Sequence, residues 1–204
     1  MGSIVNDDRA SIRKNIRKKR QALTSQQQQL AADQAADRLI EFLLNKKITK
    51  LALYITHDGE LDTAVLIAKL WQMGVEVYLP ILHPFCSGHL LFQKYSSHTP
   101  MQSNQFGILE PKLNVSEVIL PSKLDAIVTP LVAFDVVGNR MGMGGGYYDR
   151  TFAMLENKNS VLRIGYAHDC QRVDKLPVKT WDMSLHLIVT PKRCYLPITE
   201  RVLL

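Results

Sequence analysis

Apolar residues along the chain change their spacing in step with its turn residues, and the changes divide it into elements. From Asp7 to about Ala22 the spacing is helical, with Ile12 and Ile16 four apart and Arg9, Arg13, Arg17 and Arg20 on a stripe of their own. Ser25-Gln26-Gln27-Gln28 then reads as a capping box. It opens a second helix to about Leu44, with Ala32, Ala35, Ala36, Leu39, Phe42 and Leu43 on its inner side. Beyond it the period shortens. Residues 50–55 are a strand-length apolar run, Thr56 to Glu60 carries turn residues, and a third helix spans about Asp62 to Met73 before the stop at Gly74. Residues 75–80 give the next strand, so strand, helix and strand follow at short intervals as a βαβ unit. Ligands in such sheets sit beyond the carboxyl ends of the strands, which puts Glu60 at a mouth; position alone slightly favours a surface turn carboxylate.

Residues 81–121 are punctuated by prolines and glycines, and only Leu90 to Tyr95 has the look of a strand. Residues 124–134 restart the core as a near-continuous apolar run, the pattern of a strand buried on both faces, with Pro130 marking its end. A turn at Val137-Gly138-Asn139 leads to a glycine-rich loop, and a helix is predicted from about Gly146 to Asn157. Another buried strand covers residues 161–166. An extended stretch from Leu176 to Asp182 precedes the last central strand, residues 185–190.

With 204 residues, 46% of them hydrophobic and 22% charged, the chain has the size and make-up of one globular domain. Its net charge of +6 favours an anionic partner without choosing among nucleic acid, anionic lipid and a small polyanion. Cys86, Cys170 and Cys194 are odd in number and far apart, which suggests neither a disulfide framework nor a zinc site and fits a reducing cytoplasm. No run approaches the roughly 18 apolar residues of a membrane span. A cytoplasmic location is expected.

The chemistry concentrates between Gly138 and Arg150. Five glycines, at 138, 142, 144, 145 and 146, leave backbone N–H groups open to a phosphate, and a helix start follows directly. Arg140 and Arg150 bracket the run; Tyr147 and Tyr148 offer rings and hydroxyls, and Asp149 a hard oxygen ligand. By glycine content alone, a surface turn between strand and helix is an equal reading. No Gly-Lys-Ser/Thr follows, and the spacing of a dinucleotide fingerprint is missing. The arginine stripe of the first helix lies within reach of one extended anion, the plain alternative being a solvated basic face.

Thr129-Pro130-Leu131-Val132-Ala133-Phe134-Asp135 followed by Gly138-Asn139-Arg140-Met141-Gly142-Met143-Gly144-Gly145-Gly146-Tyr147-Tyr148-Asp149-Arg150 resembles the signature of the 5-formyltetrahydrofolate cyclo-ligase family. Arg9 and Arg13, the segment His57 to Glu60, Phe106 to Pro111, and Leu176-Pro177 through Trp181-Asp182 agree in order and spacing, so the resemblance covers most of the chain. It implies a three-layer α/β/α sandwich with a mostly parallel central sheet. It also implies an ATP- and magnesium-dependent enzyme that converts 5-formyltetrahydrofolate to 5,10-methenyltetrahydrofolate with release of ADP and phosphate. In that family's scheme the formyl oxygen attacks the γ-phosphate, N10 attacks the activated carbon, and phosphate departs.

By motif position the resemblance assigns ATP binding to Arg9, Arg13, Arg140, Met141, Gly142, Met143, Gly144, Gly145, Gly146, Tyr147 and Tyr148. Ile55, Glu60, Met143 and Tyr147 would contact the folate, and Asp149 and Asp182 would hold Mg2+. Arg140, Tyr147 and Arg150 would serve the chemistry. Some relatives carry a basic side chain within the glycine run. Here Met143 and Gly145 are uncharged, so transition-state charge falls to Arg140, Arg150, the N-terminal arginines and magnesium. Two rival readings are a phosphosugar-binding isomerase or regulator of similar fold and, in another class, an RNA-binding arm built on the basic helix.

Overall fold

Successive residues of a strand point to opposite faces of its sheet, and here that alternation sorts the core into two layers around one sheet. The computed structural model describes residues 4–155 and 161–197. Two helices, α1 (Ile4–Gln21) and α2 (Ser25–Leu43), precede the unit β1 (Lys50–Ala52), α3 (Ala64–Gln72) and β2 (Glu76–Leu82). The middle of the chain contributes β3 (Leu90–Lys94), β4 (Met101–Ser103), β5 (Leu109–Pro111) and β6 (Val118–Ile119). There follow β7 (Ala126–Thr129), β8 (Ala133–Phe134), β9 (Arg140–Met141), α4 (Tyr147–Ala153), β10 (Leu162–Tyr166), β11 (Leu187–Val189) and β12 (Cys194–Tyr195).

The main sheet runs β12-β11-β10-β7-β1-β2-β3-β6. Its five inner strands, from β11 to β2, are parallel; β12 at one edge and β3 at the other run against them, and β6 pairs antiparallel with β3. Leu51, Val77, Val128, Ile164 and Leu187 face a layer made by Ala35, Ala36, Leu39 and Leu43 of α2 and Leu66, Ile67 and Leu70 of α3. Ala52, Tyr78 and Ile127, one residue out of phase, face Phe152 of α4 and Leu155 on the other side. This is the expected α/β sandwich, with a mostly parallel sheet between helical layers.

Local structure departs from the sequence pattern at a few points. The capping box of α2 is made by Thr24, whose hydroxyl accepts from Gln27 N (3.2 Å) while Gln27 Oε1 accepts from Thr24 N (2.9 Å). Four consecutive glutamines offer the same box to Ser25, and the pattern picks out that residue, one position late. Phe42 is half-buried at the margin of its layer. Residues 81–121 are more regular than their prolines suggest: β4 and β5 form an antiparallel hairpin, and β6 completes the sheet edge. The apolar run of residues 124–134 is two strands. Pro130 lacks an N–H and ends the ladder after β7, and β8 turns away to pair with β9. Helix α4 is shorter than the predicted Gly146 to Asn157, and Glu156 and Asn157 lie outside the described residues.

Helix α1 takes no part in either layer of the sheet. Its Ile12 and Ile16 pack on Val132, Ala133, Met141 and Leu176, so it lies across the β8–β9 hairpin that follows the carboxyl end of β7. The arginine stripe is thereby turned towards the loops at that end of the sheet.

Candidate active site

A cavity of about 490 Å³ opens beyond the carboxyl ends of β1, β2 and β7, where parallel sheets place ligands. One wall is the glycine loop with Tyr147, Tyr148, Asp149 and Arg140. Ile55, His57, Glu60 and Leu131 also line the cavity. Pro80 and Leu82 of β2, with Phe106, Ile108 and Glu110 of the β4–β5 hairpin, close the remaining side. Every residue that the resemblance assigned to folate lines this cavity, as do Gly142, Gly145, Gly146, Tyr148 and Asp149. Arg9, Arg13, Met141, Gly144, Arg150 and Asp182 stand outside the lining.

Arg140 leaves β9 buried, with its guanidinium 5.5 Å from the Phe152 ring centre. It donates from Nη2 to Asp149 Oδ1 at 2.9 Å, and the same oxygen accepts from Met183 N at 3.0 Å. Its Nε is buried and has no hydrogen-bond partner among the described residues. A buried cationic N–H without an acceptor is costly, and here it belongs to a residue on the wall of a cavity. Helix α4 starts from Gly146 in the left-handed conformation (φ 68°), which aims the first N–H groups of the helix at the loop. Gly145 is packed so closely that a Cβ there would stand 2.8 Å from the Tyr147 ring; Tyr147 in turn meets Phe106 edge-on at 6.0 Å. Arg150 is exposed and holds the loop from behind: Nε donates to Gly88 O at 2.8 Å, and Nη2 donates to Gly145 O.

The arginine stripe of α1 divides its work. Arg9 donates to Asp182 Oδ2 (2.7 Å) and Pro177 O (2.9 Å), and Arg13 donates to Gly142 O (2.8 Å). Burial and the neighbouring Arg9 lower the pKa of Arg13. Further along, Arg17 and Arg20 both donate to Asp58 Oδ2, at 2.7 and 2.8 Å. All four arginines therefore bond to protein at this end of the sheet. Nothing in the spacing of the sequence singles out Asp58, whose partners lie 38 and 41 residues away. Asp58 itself adopts a positive φ of 52°.

Glu60 is buried and accepts from His57 N at 3.2 Å. Burial raises its carboxyl to about 7, against the opposing influence of Arg20 and of that backbone hydrogen bond. The Tyr148 hydroxyl is raised by burial and by the Glu60 charge.

Asp149 and Asp182 suit a magnesium ion in one respect. Each commits a single oxygen to hydrogen bonds, Oδ1 of Asp149 and Oδ2 of Asp182, and among the described residues the other oxygen of each is left over. Met183, next in sequence to Asp182, donates to Asp149, which ties the two segments together. No group of three or more His, Cys, Asp or Glu side chains capable of holding a metal occurs among the described residues. Magnesium is commonly held by one or two carboxylates together with phosphate oxygens and water, so a pair is enough.

The walls from Pro80, Leu82 and the hairpin escape sequence reasoning. Pro80 and Leu82 have the pattern of ordinary strand residues, and Phe106 to Pro111 stands out only through the family signature.

Comparison with known proteins agrees with this fold. The model of the 5-formyltetrahydrofolate cyclo-ligase family matches residues 5–191. A 5-formyltetrahydrofolate cyclo-ligase of Escherichia coli is 47% identical over 180 residues, covering 88% of this chain and 98% of that protein. One from Haemophilus influenzae is 48% identical over 177 residues, covering 87% and 94%. Among solved structures, the 5,10-methenyltetrahydrofolate synthetase of Aquifex aeolicus superposes with a TM-score of 0.79 at 29% identity, over 92% of each chain. That of Mycoplasma pneumoniae gives 0.73 at 25% identity, over 90% of this chain and 99% of that one. With a matching fold, a glycine loop facing a cavity and a family match along nearly its whole length, this chain belongs to the 5-formyltetrahydrofolate cyclo-ligase family of enzymes.

Proposed function

We propose that this enzyme closes 5-formyltetrahydrofolate to 5,10-methenyltetrahydrofolate with ATP and magnesium, releasing ADP and phosphate. The observation that carries the proposal is one cavity lined both by the glycine loop with Arg140 and by the buried carboxyl of Glu60. An anion belongs at the first, and a group with N–H donors at the second. Phosphates of ATP meet the first requirement and the pterin ring of the folate meets the second.

In this reading the open backbone from Gly142 to Gly146 and the amino end of α4 receive the phosphates, with Arg140 beside them. Arg9 and Arg13 bring cationic charge from α1, while Arg150 fixes the loop through its bonds to Gly88 O and Gly145 O. Asp149 and Asp182 would hold magnesium, which when bound neutralises charge on the phosphates. Tyr147, braced by Phe106, borders the folate, and Ile55 and Met143 supply apolar surface. The carboxylate of Glu60 accepts from the pterin N–H groups. Phosphorylating the formyl oxygen turns it into a leaving group that N10 displaces. Such chemistry needs placement and charge more than a protein nucleophile. The enzyme is taken to work as a cytoplasmic monomer.

ADP release measured with and without 5-formyltetrahydrofolate tests this reading. Turnover that requires the folate supports it. Turnover indifferent to the folate, or ATP that does not bind, overturns it.

A further inference from the structure

We propose that Arg20, which lies outside the cavity, is a positioning residue for folate recognition. Its buried guanidinium holds the turn that carries Glu60 and keeps a positive charge behind that carboxylate. The proposal rests on the reading of Glu60 as the pterin acceptor.

Arg20 is fully buried although it belongs to a helix whose neighbouring Lys18 and Lys19 are exposed. Its Nη2 donates to Asp58 Oδ2 at 2.8 Å, and Nη1 reaches the carbonyl of the cavity-lining Leu131 at 3.5 Å. Its Nε is buried and has no hydrogen-bond partner among the described residues. The turn lies directly against it: a Cβ on Gly59 would stand 3.8 Å from Arg20 Cγ. Asp58 holds a positive φ of 52° while Arg17, Arg20 and Gln21 all donate to its carboxylate. Three side chains of one helix thus hold a non-glycine residue in the left-handed region and pin the geometry of the turn. What that geometry fixes is Glu60, two residues on.

The electrostatic surroundings of Glu60 give the two roles separate readouts. Arg20 faces it from α1 and Asp58 from its own turn, with Tyr54 after β1, Tyr148 on α4 and His168 nearby. Burial raises both tyrosines and lowers His168 to about 4, so these three are neutral around pH 7. Arg20 and Asp58 are then the charges that act on Glu60, and they act in opposite directions. Removing the charge of Arg20 shifts Glu60 towards its protonated form, which offers a poorer acceptor to pterin N–H groups. Removing the charge of Asp58 shifts it the other way and loosens the turn.

The test is steady-state kinetics of Arg20→Met, Arg20→Lys, Asp58→Asn and Glu60→Gln across pH 6 to 9, taken here as a range of about three units around the titration of Glu60. In Arg20→Met the KM for 5-formyltetrahydrofolate should rise about tenfold at neutral pH while the KM for ATP stays within about twofold. The acid limb of kcat/KM for the folate should move to higher pH in Arg20→Met and to lower pH in Asp58→Asn, with Arg20→Lys close to the parent. Should Arg20→Met fail to fold, the low-pH displacement in Asp58→Asn and the near-parental limb in Arg20→Lys remain decisive. Folded variants with unmoved acid limbs, or with folate and ATP KM rising together, overturn the proposal. Glu60→Gln separates the two levels. An unchanged folate KM there overturns the reading of Glu60 itself, whereas a raised KM there beside unmoved Arg20 and Asp58 variants overturns only the role of Arg20.

Discussion

Arg140 and Asp149 form a 2.9 Å ion pair on the wall of the cavity, and Met183 N donates to the same carboxylate oxygen. The pair joins β9, the start of α4 and the segment after Asp182. Replacing Asp149 by Ala leaves a buried guanidinium with no acceptor and frees the Met183 amide. The expected cost is on the order of 2–3 kcal/mol of stability, read by urea unfolding, together with loss of magnesium-dependent turnover. Asp149→Asn keeps an acceptor for Met183 N and should lose less stability but as much activity. An Asp149→Ala protein with full turnover would end the metal assignment.

Gly142 separates the demands of the fold from those of the ligand. A Cβ at this position meets nothing within 4 Å, and the residue lines the cavity. Gly142→Ala should therefore unfold within about 0.5 kcal/mol of the parent. If phosphate approaches the backbone there, its KM for ATP should rise by about tenfold, an approximate loss of 1.4 kcal/mol of binding. An unchanged KM would place the phosphates elsewhere.

Much of the frame is legible before any coordinates. Residues of β7 and β11 are buried throughout, so their near-continuous apolar runs identify central parallel strands. The βαβ unit is equally plain, and the glycine loop announces backbone exposure. Less legible are the elements that depend on partners far away in sequence. Gln102, Ser103 and Leu109 of the β4–β5 hairpin are exposed, so no period marks them, yet the hairpin walls the cavity. Strands β6 and β12 have two residues each, too few to carry a period. The stripe of arginines is visible as a pattern, but its division between the glycine loop and Asp58 follows from the packing of Ile12 and Ile16 on the β8–β9 hairpin.

Asn104 organises that hairpin wall. Its Oδ1 accepts from Phe106 N (2.9 Å) and Ile108 N (3.2 Å), and its Nδ2 donates to Glu110 Oε2 (3.2 Å). Asn104→Ala should cost about 1 kcal/mol. It should also raise the folate KM more than the ATP KM, since Phe106 braces Tyr147 where that ring borders the folate. Equal effects on both KM values would show that the hairpin serves the whole site.

Stability should fall as the medium is acidified from pH 6.5 to 4. Burial lowers His168 and His186 from 6.5 to about 4, so in this window the unfolded chain takes up protons that the folded one refuses. Glu60 acts oppositely: unfolded it releases its proton near 4.5, folded only near 7, so its contribution declines as pH rises between those values. Two histidines outweigh one glutamate, and the melting temperature should climb from pH 4 to 6.5. Glu60→Gln removes the opposing contribution and should steepen that climb. A flat or shallower profile in the variant would contradict the buried, raised carboxyl.

The most direct measurement is the absorbance of 5,10-methenyltetrahydrofolate formed by the purified protein from 5-formyltetrahydrofolate. The account requires product only when ATP and magnesium are both present, with one ADP released for each product molecule. No product under those conditions, or product formed without ATP, would contradict it.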